Sequence, residues 1–492
     1  MLSRFFLLLL FILSSFSSFG NTRGLIVNLN QKLKVLPLHD GPYAFIKRID
    51  LIRSAKFSIE LEYFIFNDDL SGKIIIDELI KAARKGVRVR LLLDALMVKG
   101  KLTPFHIHQI KKHNIEIRYY NDIALIRAIN TQYRDHRKLF IVDREHLIIG
   151  GRNIANEYFD LDERYNFLDR DIYVHGNIGR KSRELFDLFW KSVPSQNVLR
   201  DPKPNLDMLH LMSSAGSARS RILKKYRSEL HTWKMKVKKA KKFLKPHPLV
   251  RKTLKSLKEK VRPKFIEFAE KNNLFCKNPM IVSDPPLVGP SNDNKRKLRK
   301  AIYLQLESAK KKITIDSPYF ILTHGSDGMM KDILKKGVDV ELLTNGIYST
   351  DALPVASVFN FYLDDWIEAG LKPTVFGGKR SEDITYVLER AKPTRWGTHS
   401  KSIVFDDDSV MIGTFNFDPR SAFYSAEISL FCSDSKELAM DTRKNIYKRM
   451  AGGKKIETKE DAKRYRFENV STMKKMGYYL ISPLALLLQR LL

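Results

Sequence analysis

Over residues 72–85 the apolar positions Ile75, Ile76, Leu79, Ile80 and Ala83 recur at helical spacing, which predicts a helix with one buried face. It closes on Lys85-Gly86-Val87, with the glycine at the C-cap, and an unbroken apolar strand follows over 87–93. The pattern returns in the second half: a helix over 327–336 closes on Lys336-Gly337-Val338, and a strand follows over 338–343. Upstream, residues 54–61 and 308–315 each read as a helix end running into a strand, followed by Tyr63-Phe64 and Tyr319-Phe320. A strand–helix–strand unit whose second strand is wholly apolar predicts a sheet covered on both faces. The chain is therefore read as α/β, with two similar domains at 21–195 and 291–470 related by a pseudo-two-fold.

The ends carry a different pattern. After Arg4, residues 5–13 are uninterruptedly apolar, and small polar residues follow to Gly20. Nine residues are too few to span a bilayer, and the arrangement predicts a secretory signal peptide at 1–20. An uncleaved membrane anchor is the alternative; both predict export across the bacterial inner membrane, to a periplasmic, membrane-associated or secreted location. Within the 471–492 tail, residues 476–488 contain Tyr478, Tyr479, Leu480, Ile481, Leu484 and three further leucines, broken by Pro483 and flanked by Lys474, Lys475 and Arg490. It is read either as a last core helix or as a segment lying in a membrane interface.

Composition narrows the partners. Of 492 residues only two are cysteines, which excludes a disulfide scaffold and a four-cysteine zinc site. The formal charge of +32 calls for an anionic partner. Residues 219–264 hold 19 Lys/Arg and two acids, more than half of that charge. Ile222, Leu223, Tyr226, Leu230, Trp233 and Val237 space this segment as an amphipathic helix, so 196–290 is read as a basic, largely helical insert. An anionic lipid surface is its expected partner, with nucleic acid as the alternative.

The chemistry sits late in each repeat. His136, Lys138, Asp143, Gly150 and Asn153 have the spacing H-x-K-x4-D-x6-G-x2-N, and His399, Lys401, Asp406, Gly413 and Asn416 repeat it. Residues i and i+2 of a strand share a face, so each His/Lys pair points one way. Domains meeting about a two-fold would join two imidazoles, two ammonium groups and two amides. That set suits a phosphate: lysines and amides cage its oxygens, one imidazole attacks phosphorus, and the other protonates the leaving oxygen. Acids at the start of a later strand, Asp171 and Glu427, are the expected tautomer-fixing partners, with Asp169 competing in the first half. Asp143 and Asp406 are placed with the catalytic set, although they could simply close turns. Gly150, Gly151, Gly413 and Thr414 are placed with the phosphate-binding residues, the glycines allowing close backbone approach. His106, His108 and His113 lack an acidic or cysteine companion and predict no metal site; neither metal nor cofactor is expected.

These paired motifs resemble the phospholipase D superfamily over about 21–195 and 291–470. The phrases 150–159 and 413–421, followed by Glu427, resemble the bacterial cardiolipin synthase branch, particularly its type C members. The resemblance implies metal-independent transfer through a phosphohistidine. It makes His136 the nucleophile and His399 the acid, then the base. Lys138, Lys401, Asn153 and Asn416 hold the phosphate. The substrate is a membrane glycerophospholipid and the acceptor phosphatidylglycerol. Water as acceptor, giving an exported hydrolytic phospholipase D, and a phosphodiesterase nuclease of the same superfamily are the alternatives.

Overall fold

The computed structural model describes residues 25–29, 31–122, 132–197, 203–204, 216–287, 295–322, 325–380, 387–392 and 394–492. The signal peptide expected at 1–20 lies outside them. Two nine-stranded sheets carry the fold. The first runs, in spatial order, Ser195–Asn197, Ile115–Tyr120, Arg88–Asp94, Ser58–Tyr63, Leu139–Val142, His146–Gly150, Asp171–His175, Leu33–Leu38 and Leu274–Cys276. The second runs Gly453–Lys455, Lys372–Phe376, Asp339–Asn345, Lys312–Asp316, Ser402–Phe405, Ser409–Gly413, Ile428–Ser433, Asn278–Ser283 and Leu25–Asn28. Position by position the orders match. In each sheet the second, third and fourth strands are mutually parallel and the other pairings antiparallel. The repeat seen in the hydrophobic pattern is thus two copies of one α/β unit.

The repeat helices form where the apolar spacing placed them, at Leu70–Arg84 and Ser326–Lys335. Asp69 caps the first by accepting from the Gly72 amide. These helices and their neighbours cover the outer face of each sheet and form two separate cores. A third core is shared: Leu139, Ile141, Ile149 and Ile172 meet Val404, Ile412, Ile428 and Leu430 across the interface.

The halves are interlocked at their edges. Leu25–Asn28 leaves the first half to pair with Asn278–Ser283 in the second sheet. Leu274–Cys276 opens the second half yet pairs with Leu33–Leu38 in the first sheet. Cys276 is bonded to Cys432 of Ile428–Ser433, so a buried disulfide spanning 156 residues of sequence joins the two sheets where the chain crosses between them.

The basic insert is helical, over Gly216–Phe243, Pro248–Ser256 and Arg262–Lys271. Its later part packs Val250, Leu257, Val261 and Phe265 onto the first core, while the lysines of 234–242 stay exposed. The tail forms a helix, Thr472–Leu487, that buries Tyr478 and Ala485 and exposes most of its other apolar side chains. Its buried face packs as the core-helix reading expects. Among the described residues no helix is long and apolar enough to cross a membrane.

Candidate active site

Each motif histidine is stitched to the opposite half. The His136 amide donates to the Ala426 carbonyl at 3.0 Å, and the Ala426 amide donates back to Arg134 at 2.9 Å. The His399 amide donates to the Leu168 carbonyl at 2.7 Å, continuing a parallel pairing of Arg395–Thr398 with Tyr165–Leu168. Both imidazoles are buried and line one cleft of about 340 Å³ together with Asn153 and Asn416. Phe64 packs edge-on against His136 and Tyr158 against His399, fixing the ring planes.

The acid partners also cross the interface. Glu427 holds His136 Nδ1 at 2.9 and 3.0 Å, and Asp169 holds His399 Nδ1 at 2.7 Å. Nε2 is then the nitrogen of each ring turned away from its acid, and on His399 it has Lys401 Nζ at 3.2 Å. The expectation of Asp171 is corrected. Its carboxylate lies on Arg48 at 2.9 Å and takes the Arg152 amide at 3.2 Å, touching neither histidine. Strand register explains the slip. Gly150 pairs with Asp171, whereas Gly413 pairs with Ser429. The positional equivalent of Glu427, two residues before the pairing residue, is therefore Asp169.

Six further placements are corrected. Asp143 accepts three backbone amides, from Lys56, Phe57 and Ser58, and Asp406 accepts those of Lys310, Lys311 and Lys312. Each closes the turn that starts a parallel strand, at the end of its own strand away from the histidine, and neither lines the cleft. Thr414 donates to Glu427 rather than facing the cleft, and Ser421, which the sequence reading missed, donates to the same carboxylate at 2.8 Å. The glycines make room for acids and backbone. A Cβ on Gly151 would come within 2.2 Å of Asp169 Oδ1, and one on Gly413 within 1.9 Å of Ser429 Oγ. A Cβ on Gly150 would meet the Arg170 carbonyl at 2.5 Å.

The remaining motif residues converge. Lys138 Nζ donates to the carbonyl of His136 at 2.6 Å, and Lys401 to that of His399. Asn153 is oriented by accepting from the Ile65 amide and donating to the Tyr158 hydroxyl. His106, by contrast, pairs with Thr103 at the start of its own helix, away from the cleft.

The electrostatics differ between the two histidines. Burial pushes His136 well below the ordinary imidazole value, and Lys138, Lys401 and His399 add to it. His399 is lowered by burial and Lys401, but Asp169 opposes the fall. Burial alone would raise both acids. For Asp169, Lys401 and His399 outweigh it and hold the carboxyl at about 2. For Glu427, burial wins over Lys138, Thr414 and Ser421, and the value rises to about 7. Lys138 falls to about 7, chiefly through burial. At neutral pH the centre thus holds a neutral His136 beside a half-titrated acid, and a His399 backed by a full carboxylate.

Two halves of one unit, each bearing H-x-K and facing one cleft, match a known family. The profile for the PLD-like domain of cardiolipin synthase matches residues 48–181 and 302–450. The chain belongs to that family. It is 30% identical to an uncharacterized protein of Helicobacter pylori strain 26695 over 423 residues, 81% of this chain and 76% of the relative. It is 28% identical to cardiolipin synthase C of Escherichia coli K12, over 82% of each chain. The crystal structure of phosphatidylserine synthase from Haemophilus influenzae shares the fold, with a TM-score of 0.61, 15% identity, and coverage of 97% of this chain and 99% of that one. The protein is a phospholipase D-type phosphatidyltransferase of the cardiolipin synthase kind.

Proposed function

We propose that this chain makes cardiolipin, moving a phosphatidyl group from one phosphatidylglycerol to another through a covalent intermediate on His136. The observation that carries the reading is the crossed pairing, in which each histidine is held at Nδ1 by an acid of the other half with both rings facing one cleft. Neutral His136 Nε2 attacks phosphorus and forms the P–N bond. The P–O bond to the departing glycerol breaks, and His399 supplies its Nε2 proton to that oxygen. A headgroup hydroxyl of the second phosphatidylglycerol then gives its proton to His399 and attacks phosphorus, breaking the P–N bond. Lys138, Lys401, Asn153 and Asn416 stabilise the charge on the phosphoryl oxygens. The electrostatic asymmetry supports this division of labour, because a nucleophile must be neutral and an acid needs a carboxylate behind it.

An anionic membrane is the proposed partner, through the exposed lysines of 219–264 and the C-terminal tail. Export is the proposed location. Besides residues 1–20, the buried Cys276–Cys432 disulfide supports it, since structural disulfides persist in oxidising compartments. The test is lipid mass spectrometry after incubating the purified protein with phosphatidylglycerol vesicles. Cardiolipin formed by the wild type and absent with His136→Ala supports the reading. Phosphatidic acid alone would make the enzyme a hydrolase, and no lipid change would refute a phospholipid substrate.

A further inference from the structure

On the outer face of Thr472–Leu487 and the turn after it, Met473, Met476, Leu480, Leu484, Leu487 and Leu491 recur at three- to four-residue spacing. They are between 43 and 84% exposed. The opposite face is already used: Ala485 packs with Ile321, Val355 and Val358 against the helix Leu353–Glu368. A surface helix normally turns its apolar stripe inward and its polar face to water. This one is anchored by one apolar face and presents a second, a contiguous patch of the kind that marks an interaction site.

Its position is specific. Pro354 and Val355, at the start of the supporting helix, line the catalytic cleft, and so do Leu491 and Leu492 at the end of the stripe. Across the mouth the first half contributes Met97 to the lining, with Leu96 half exposed beside it. Both halves therefore rim the cleft with apolar side chains. At about 340 Å³ the cleft has room for a phosphodiester and its headgroup but not for acyl chains as well. Lys474 is turned inward onto the Tyr348 and Thr350 carbonyls, but the 472–491 stretch also carries Lys475 and Arg490 and no acid, which complements an anionic surface.

We propose that this face is the membrane-docking surface. The tail helix lies at the headgroup–acyl boundary of an anionic bilayer, and phospholipid moves sideways between Leu491 and Met97 into the cleft, its chains staying in the bilayer. The proposal rests on the phospholipid reading of the site and adds the direction from which substrate enters.

The test is the triple variant Leu480→Gln, Leu484→Gln, Leu487→Gln in the full chain. All three side chains are exposed, so the variant keeps its packing, which a melting curve checks. Flotation with phosphatidylglycerol vesicles should show partitioning reduced at least about tenfold, most clearly at about 0.5 M salt where the lysines are screened. Turnover of vesicle lipid should fall in step, while turnover of monomeric short-chain phosphatidylglycerol stays within about twofold of wild type, as expected for an undisturbed catalytic centre. Unchanged flotation would overturn the proposal. So would an equal loss on the monomeric substrate, or a wild-type dimer that the variant converts to monomer, which would assign the face to a second copy of the chain. A wild type that turns over neither lipid would refute phosphatidyl transfer, while flotation would still judge the docking face.

Discussion

Asp169 and Asp171 stand two residues apart, both buried, and the structure gives them opposite jobs. Asp169→Asn keeps the volume and removes the charge behind His399. That carboxylate sits at about 2, so it is ionised throughout the working range. Its hydrogen bond to a protonated imidazole is charge-assisted, with a net contribution of about 1.5–3 kcal/mol. Losing it lowers the imidazolium population roughly 10- to 150-fold. An asparagine that donates its amide hydrogen to Nδ1 also imposes the wrong tautomer, taking the loss toward the whole general-acid contribution of about 10²–10⁴. Asp171→Asn leaves both His–acid pairs in place but leaves Arg48 and Arg152 partly unpaired in the core. Breaking a buried pair from one side costs about 3–5 kcal/mol, so this variant should melt several degrees lower yet turn over at a near wild-type rate once folded. The assay is initial-rate cardiolipin formation at a temperature where melting curves show every variant folded. If Asp171→Asn were as slow as Asp169→Asn there, the assignment of Asp169 would be wrong.

Further outcomes follow from the same geometry. Burial raises Glu427 to about 7 in the fold, against 4.5 for an ordinary glutamate. Between those values the folded state holds the proton more tightly, so this group's contribution to stability falls as pH rises, by about 1.4 kcal/mol per unit and roughly 3 kcal/mol over the window. Glu427→Gln should therefore gain stability relative to wild type on going from pH 5 to pH 8 in urea melts, while losing turnover; a parallel pH dependence of the two would contradict the buried, proton-hungry carboxyl. Asp143→Asn should cost about 1–3 kcal/mol by weakening the bonds to three backbone amides, with kcat of the folded enzyme unchanged, and a large kcat loss would return Asp143 to the chemistry. Cys276→Ser should lower stability by about 2–5 kcal/mol because it opens a long loop; intact mass of protein isolated from cells under alkylating conditions should show both thiols blocked by the disulfide.

The sequence by itself determined the architecture and the paired motifs. Both are local: the apolar period of 72–85, the glycine caps at 86 and 337, and the doubled H-x-K spacing need only neighbours along the chain. It also placed Asn153 and Asn416 on the cleft. What it left open was pairing across the interface. Asp169 lies two residues ahead, just before the strand that Asp171 opens, and only the register against Gly150 says which one reaches a histidine. Likewise Asp143 and Asp406 read as part of a catalytic motif until their partners, some 85–96 residues away in the chain, are seen to be backbone amides. The exchange of edge strands, the Cys276–Cys432 bond and the assignment of each histidine to the other half's acid join residues 156–291 positions apart. Such contacts exist only once two sheets have packed face to face, because a side chain's partner is set by distance in space, and the sequence states distance along the chain alone.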